Sequence, residues 1–220
     1  MSEFHLIIGN KNYSSWSLRP WILMMHLDVQ FRETIVQLDT AQFKDQIARY
    51  GPTGRVPVLK HGDLTVWDSL AICEYMAEVT GRGWPAKRES RAVARSVCAE
   101  MHSGFAHLRA ECPMNASARG RQVPLTPGLQ ADIARVEAIW SDCRSRFADH
   151  GGPWLFGAYS IADAMYAPVA LRFNTYGLPA GEATRSYIAT VLQDPRLQKW
   201  LLAAQQETWT VPGYDVGLVS

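Results

Sequence analysis

The 220-residue chain has no long hydrophobic run, no signal-peptide pattern and no excess of either charge. No stretch approaches the roughly 18 consecutive apolar residues of a membrane span, and the N-terminus MSEFHL lacks a basic region followed by an apolar run. Its 22 Lys and Arg and 21 Asp and Glu leave a net charge of +1, which gives no global field to attract nucleic acid or an anionic membrane. We therefore expect a cytoplasmic protein whose partners are neither nucleic acids nor membranes.

Cysteine is scarce, and its spacing excludes two common functions. The four cysteines are far apart, form no CxxC pair and fall in segments of helical periodicity: Cys73, Cys98, Cys112 and Cys143. Neither a zinc site nor a redox pair fits that pattern. We expect all four to be packing residues, and we expect no metal cofactor.

Up to about Gly81, short apolar runs alternate with amphipathic stretches. The segments FHLIIG and FRETIVQL predict strands, and VPVLKHGDLTVW predicts two strands around a His61-Gly62-Asp63 turn. The segments WSLRPWILMMHL, AQFKDQIARY and SLAICEYMAEVT have helical periodicity. The resulting order βαβαββα predicts a small α/β domain over residues 1–81.

Beyond a polar connector at residues 82–88, helical periodicity takes over through residues 89–220. The helical segments are SRAVARSVCAEMHSGFAHLRAEC, LQADIARVEAIWSDCRSRFADH, SIADAMYAPVALRFNTYG, RSYIATVLQ and PRLQKWLLAAQQE, with a loose tail to Ser220. We therefore predict an α/β domain joined to an all-helical domain.

Three serines stand directly behind the first predicted strand, in GNKNYSSWSLRPW at residues 9–21. Serine satisfies free N–H groups at a helix N-terminus, so capping is the simplest explanation of these hydroxyls.

Two later motifs allow either a structural or a binding role. Pro57 opens a strand, and a cis Val56–Pro57 bond would turn the Val56 backbone outward to pair with an extended peptide; an edge-strand proline that ends a loop is the alternative. Asp68 and Ser69 begin a helix, where they serve as ordinary caps or share free amides with a ligand carboxylate.

In this order, Ser-Ser-x-Ser-x-Arg, Val-Pro and Asp-Ser-Leu-Ala-Ile resemble the N-terminal, thioredoxin-like domain of cytosolic glutathione transferases. The resemblance implies that Val56 and Pro57 pair with the cysteinyl part of glutathione and that Asp68 and Ser69 hold its γ-glutamyl end. The segment FGAYSIADAMYAPVALRF resembles the family's C-terminal signature, in which Ser160 and Asp163 would form an architectural capping box. The resemblance covers the chain from about Phe4 to Leu202.

Within that family, SSWSLRPW is most similar to the zeta class, which includes maleylacetoacetate isomerases. Gln42 holds the place of a glutathione-contacting glutamine, whereas Trp16 replaces the class cysteine and Asp68 stands where a glutamine is usual. Arg172 lies three residues before the arginine with which zeta isomerases bind an acidic substrate. A place at the solvent end of its helix is the alternative for Arg172.

The resemblance implies that a serine binds the glutathione thiol, and we predict Ser14 as this residue with Ser15 as the alternative. A cysteine thiol has a pKa of about 8.5, and a donated hydrogen bond together with a helix N-terminus favours the reactive thiolate. Ser17 is expected to be a helix residue, and Arg19 to form a structural ion pair or to act weakly through its charge. The electrophile pocket is predicted between the domains, with these candidates: Tyr13, Trp16, Phe105, Arg109 and Arg172.

The sequence thus predicts a glutathione transferase that conjugates reduced glutathione to a small electrophile, a detoxification activity. A glutathione-dependent cis-trans isomerase and a non-catalytic protein that binds glutathione or hydrophobic ligands are the alternatives. The resemblance also implies a homodimer.

Overall fold

A computed structural model describes residues 3–147 and 151–218 of the chain. Its first part has the predicted order βαβαββα. The strands are β1 (Phe4–Ile8), β2 (Phe31–Ile35), β3 (Val58–His61) and β4 (Leu64–Val66), and the helices are α1 (Ser15–His26), α2 (Phe43–Ala48) and α3 (Ser69–Thr80).

The four strands form one mixed sheet in the order β2-β1-β3-β4, in which only β1 and β2 run parallel. The predicted turn is confirmed, and it consists of Gly62 and Asp63, because His61 pairs with Leu64 as part of the sheet. Gly62 has the positive φ (60°) that two-residue turns need. Alternate side chains of β1 enter opposite layers: Leu6 packs with α1 and α3, whereas Ile7 packs with α2.

The rest of the described chain is helical, as predicted. The helices are α4 (Arg88–Ser103), α5 (Ala106–Glu111), α6 (Pro127–Phe147), α7 (Ile161–Tyr176), α8 (Glu182–Gln193) and α9 (Pro195–Gln205), and a 3-10 turn spans Pro212–Tyr214 in the tail. Residues 148–150, the end of the segment predicted for α6, lie outside the described residues. Helix α4 begins at Arg88, inside the predicted connector.

The continuous helical pattern predicted across Gly104 is wrong, because the chain breaks there into α4 and α5. Gly104 is extended and Phe105 is left-handed (φ 61°). Arg109 occupies the break: its side chain donates to the carbonyls of Gly104 (2.8 Å), His102 (3.3 Å) and Met101. Arg109 therefore ties α5 to the last turn of α4.

Helix α7 lies at the centre of the core, packed against α1, α4 and α8, with almost every side chain buried. The predicted capping box at its start is confirmed: the Asp163 carboxylate accepts from the N–H of Ser160 at 2.9 Å. The same carboxylate accepts from the Leu155 N–H and the Tyr187 hydroxyl, both at 3.0 Å. Burial raises the pKa of Asp163 to about 6, and the four hydrogen bonds it accepts partly oppose that rise.

All four cysteines are buried free thiols, which confirms them as packing residues. Burial raises the pKa of the Cys112 and Cys143 thiols to about 12 and that of Cys73 and Cys98 further still. Within residues 3–147 and 151–218, no helix has both the length and the apolar character of a membrane span.

Candidate functional site

Two adjoining cavities lie where the start of α1, the loop before β3 and the start of α3 meet the end of α4. The serine cavity, about 440 Å³, contains the opening motif in its wall, and the Asp68 cavity, about 630 Å³, contains the start of α3. Trp16, Arg55 and Val56 line both. The two cavities can therefore hold the two ends of one extended ligand.

Ser14 is the N-cap of α1. Its Oγ accepts from the Ser17 N–H at 3.3 Å, and its hydroxyl donates to Ser17 Oγ at 2.7 Å. Ser17 Oγ also accepts from the Gly9 N–H at 3.0 Å, which ties the chain beyond β1 to the helix. The capping explanation is thus confirmed for Ser14, and its hydroxyl proton is engaged by Ser17.

Ser15, the first residue of α1, faces a buried arginine. Its Oγ accepts from Arg172 Nη2 at 3.4 Å, while Arg172 Nε and Nη1 donate to the carbonyls of Cys112 (2.8 Å) and Pro168 (3.3 Å). Arg172 is only 4% exposed, so the alternative of a place at the solvent end of its helix is wrong. Burial, helped by the charge of Arg109, lowers the pKa of Arg172 to about 10, which leaves it protonated at neutral pH.

Trp16 contacts two further guanidinium groups. Their central carbons lie 4.3 Å (Arg19) and 4.7 Å (Arg109) from its ring centroid. Arg19 is fully buried, and none of its three side-chain nitrogens has a partner in the described part of the chain, so the expected ion pair is wrong. Burial lowers the pKa of Arg19 to about 9, and the charges of Arg109 and Arg172 add to this effect.

The start of α3 combines a cap with an unused hydroxyl. Asp68 Oδ1 accepts from the N–H groups of Leu70 (3.1 Å) and Ala71 (3.3 Å), and Asp68 Oδ2 accepts from His102 Nε2 at 2.8 Å. Ser69 Oγ is buried and has no hydrogen-bond partner among the described residues. Val56–Pro57, across the same cavity, is a cis peptide bond.

The fold brings most of the predicted site residues to these walls. In the serine cavity are Tyr13, Ser14, Ser15, Trp16, Val56, Arg109 and Arg172, and in the Asp68 cavity are Pro57, Asp68 and Ser69 as well as the shared residues. Gln42 and Phe105 lie outside both linings. Gln42 is exposed at the start of α2, where its neighbour Phe43 reaches the serine cavity instead, and Phe105 packs in the core.

Sequence reasoning missed several lining residues, among them Arg55, His102 and Tyr214. Arg55 directly precedes the Val-Pro motif, so its position was the one signal available. His102 reaches the Asp68 cavity because α4 ends beside it. Tyr214 lies in the tail predicted to be loose, and its ring packs edge-on against Tyr13 at 5.7 Å.

A four-stranded βαβαββα domain next to a helical domain, with a site at their junction, defines a two-domain protein with a thioredoxin-like first half. Family models described as glutathione S-transferase, N-terminal domain, and glutathione S-transferase, C-terminal domain, match residues 13–79 and 126–203. The chain therefore belongs to the glutathione S-transferase family.

Two known enzymes resemble part of this chain in sequence, and solved structures of two other proteins resemble its fold. Dichloromethane dehalogenases from Methylorubrum extorquens and Methylophilus leisingeri are 42% and 40% identical over 60 residues, a match covering 25% of this chain and only 20% and 21% of those proteins. A glutathione transferase homolog from Burkholderia, solved with bound glutathione, is 24% identical, with a TM-score of 0.72 over 93% of this chain and 100% of that one. The tau class glutathione S-transferase of mango, Mangifera indica, is 19% identical, with a TM-score of 0.69 over 92% and 96%. Both structural likenesses show the fold.

Proposed function

We propose that this protein is a glutathione transferase that binds reduced glutathione across both cavities and stabilises its thiolate with a serine of the opening motif. The observation that carries the proposal is the junction of the two cavities at Val56, with hydroxyls on one side and a helix N-terminus on the other. The Burkholderia homolog and the theta class enzyme of Xanthomonas axonopodis pv. citri were both solved with glutathione bound, which supports the choice of ligand.

In this proposal the Asp68 cavity holds the γ-glutamyl end. Its α-carboxylate meets the N–H and the hydroxyl of Ser69, since the N–H groups of Leu70 and Ala71 are already bonded to Asp68. The Ser69 hydroxyl is buried and has no other partner among the described residues. Its α-ammonium group pairs with the half-exposed Asp68 carboxylate. The Val56 backbone pairs with the cysteinyl residue, which places the sulfur toward the serine cavity.

Hydrogen bonding favours Ser15 over Ser14 as the residue that contacts sulfur. The Ser14 proton is directed to Ser17, whereas the Ser15 hydroxyl only accepts, from Arg172, among the described residues. Because a hydroxyl can rotate, Ser14 becomes a donor as well if Ser17 donates back to it. Lowering the thiol pKa by about two units requires roughly 2.7 kcal/mol, which one charge-assisted hydrogen bond, a helix N-terminus and the Arg172 charge can supply.

The thiolate then attacks an electrophilic carbon, forming a sulfur–carbon bond while the leaving group departs with its bonding electrons. The thiol proton passes to solvent.

Of the known classes of glutathione transferase, we assign the protein to a serine type most similar to the zeta class. We divide the chain into a domain at residues 1–81, a linker at 82–88 and a domain at 89–220. We also assign the protein to the cytoplasm, as a homodimer, because the cytosolic family implies both. Light scattering tests the dimer.

Calorimetric titration of reduced glutathione tests the binding site. We expect the parent protein to bind and Asp68→Ala plus Ser69→Ala to lose binding, whereas Ser96→Ala, an exposed serine of α4, should bind like the parent. An unaltered affinity in the double variant would contradict this use of the Asp68 cavity. Binding without turnover of any electrophile would instead favour the non-catalytic alternative.

Turnover of a chlorinated nitroarene tests the chemistry. Ser15→Ala should lower kcat by about ten- to a hundredfold and leave the glutathione Kd within about twofold, since the hydrogen bond to sulfur matters most in the reaction. The pKa of the bound thiol, measured from the thiolate absorbance as a function of pH, should rise in the same variant. If neither Ser15→Ala nor Ser14→Ala changes turnover, the serine mechanism is wrong.

A second candidate function, cis-trans isomerisation of a maleylacetoacetate-like diacid, is favoured by the charge of the serine cavity. Three arginines, Arg55, Arg109 and Arg172, line it, and its lining has no acidic residue among those that the structure describes. A carboxylate of the substrate would bind Arg172, beside the thiolate that adds to the double bond. The parent should then isomerise the diacid and Arg172→Ala should not; no isomerisation by the parent would exclude this function.

A further inference from the structure

The Asp68 carboxylate is held by both halves of the molecule. The amides of Leu70 and Ala71, on its own helix, occupy Oδ1, and His102, at the end of α4, occupies Oδ2 at 2.8 Å. A carboxylate offers about four acceptor sites, so these three donors leave about one for a ligand. The side chain is 47% exposed in the wall of the Asp68 cavity, where a ligand can reach it.

His102 is itself held in place. Its ring packs edge-on against Trp16 at 5.3 Å, and its backbone carbonyl accepts from Arg109 Nη2 at 3.3 Å. Its Nδ1 is shielded from solvent and has no partner in the described part of the chain. Only Nε2 is therefore engaged, and it serves as the donor to Asp68.

Without His102, the Asp68 carboxylate would keep only its cap contacts through Oδ1, and Oδ2 would be free to turn toward solvent. A charge-assisted hydrogen bond from an ammonium group depends on the direction of the acceptor oxygen. A histidine that fixes this oxygen therefore matters most for ligands that carry an ammonium group at that point.

We propose that His102 is a specificity-determining, positioning residue that orients Asp68 Oδ2 for the α-amino group of a γ-glutamyl thiol. This inference rests on the proposed function, because it takes glutathione as the ligand of the Asp68 cavity. Selection of γ-glutamyl thiols then depends on a residue of the helical half, although all the other groups assigned to that end of the ligand lie on the thioredoxin-like half.

The test compares two ligands by calorimetry: glutathione, and glutarylcysteinylglycine, which is glutathione without its α-amino group. His102→Phe keeps a ring beside Trp16 but has no donor, and His102→Gln keeps a donor. His107→Phe, a histidine of α5 whose side chain is 60% exposed, is the matched control. Circular dichroism establishes that each variant is folded.

We expect His102→Phe to weaken glutathione binding about tenfold, the usual size of one charge-assisted hydrogen bond, and to leave the glutaryl ligand within about twofold. His102→Gln should retain most of the affinity for glutathione, and His107→Phe all of it. If His102→Phe does not fold, His102→Asn, whose amide is too short to reach Asp68, should give the same result.

An equal loss for both ligands would reduce His102 to a general structural role, and no loss for either would remove any role; each overturns the inference while leaving the proposed function intact. A parent protein that binds neither ligand overturns the proposed function, and with it the inference.

Discussion

An aspartate accepts hydrogen bonds at the start of both α3 and α7, but the two carboxylates differ in how many of their acceptor sites are occupied. Asp163 accepts from four donors: Leu155 N–H, Ser160 N–H, the Ser160 hydroxyl and the Tyr187 hydroxyl. Asp68 accepts from three donors, is half-exposed, and stands beside an unpartnered Ser69 hydroxyl. A buried carboxylate whose acceptor sites are all occupied stabilises the fold. A carboxylate with a free acceptor site in a cavity wall is available to a ligand.

The largest expected difference is in stability. Asp163→Ala removes the acceptor of four buried donors, and an unsatisfied buried donor costs about 1–3 kcal/mol, so we expect a loss of at least about 4 kcal/mol in the free energy of unfolding. Asp68→Ala removes an N-cap and should cost about 1 kcal/mol. Denaturant unfolding measures both, and equal losses would contradict the distinction between the two caps.

Asp163 should contribute its own pH dependence to stability, which a comparison with Asp163→Asn isolates. Its folded pKa of about 6 lies above the unfolded value of about 3.9, so the folded state binds the proton more tightly between them. The stabilisation from this proton is full below about pH 4 and is lost as the pH rises through about 6, a change of about 3 kcal/mol. We expect the unfolding free energy of the parent minus that of Asp163→Asn to fall by about 2 kcal/mol between pH 4 and pH 7, most of that amount. A constant difference would show that Asp163 does not titrate in that range.

The serines beside the two aspartates, Ser69 and Ser160, should differ in the opposite way: one substitution should change glutathione affinity and the other should change stability. Ser69→Ala should weaken glutathione binding about tenfold, or about 1.4 kcal/mol, because a ligand carboxylate loses its hydroxyl donor. Ser160→Ala should leave that affinity unchanged while it lowers stability by about 1 kcal/mol. Calorimetry and denaturant unfolding of the same two variants make the comparison. A loss of affinity in Ser160→Ala would contradict a purely structural role for Ser160.

The smallest expected effect is the difference in stability between the Ser14→Ala and Ser15→Ala variants at the start of α1. Ser14 caps the helix, so Ser14→Ala should cost about 1 kcal/mol of stability, whereas Ser15→Ala should cost less than about 0.5 kcal/mol. Since Ser15→Ala is also the variant expected to lose more turnover, stability and activity should rank the two residues in opposite orders. The same rank for both measurements would return Ser14 to the leading catalytic position.

Local signals predicted much of the fold. Alternating and helical periodicities placed the strands and most of the helices, and the β3–β4 turn followed from a glycine at a hairpin position. The capping box at Ser160 and Asp163 was predicted from the resemblance to the family's C-terminal signature, and its partners lie within one helical turn. The break at Gly104 was not predicted, since an isolated glycine is tolerated inside a helical pattern and packing decides whether the helix continues.

The chain by itself determined its element order, its family resemblance and the types of residue at the candidate site, because these depend on local periodicity and short motifs. The tertiary structure decided that Arg172 is buried beside Ser15, that Arg19 has no ion partner in the described part of the chain, and that His102 meets Asp68. Burial and charge pairing between residues distant in sequence depend on how the two halves pack, and no local pattern specifies that packing.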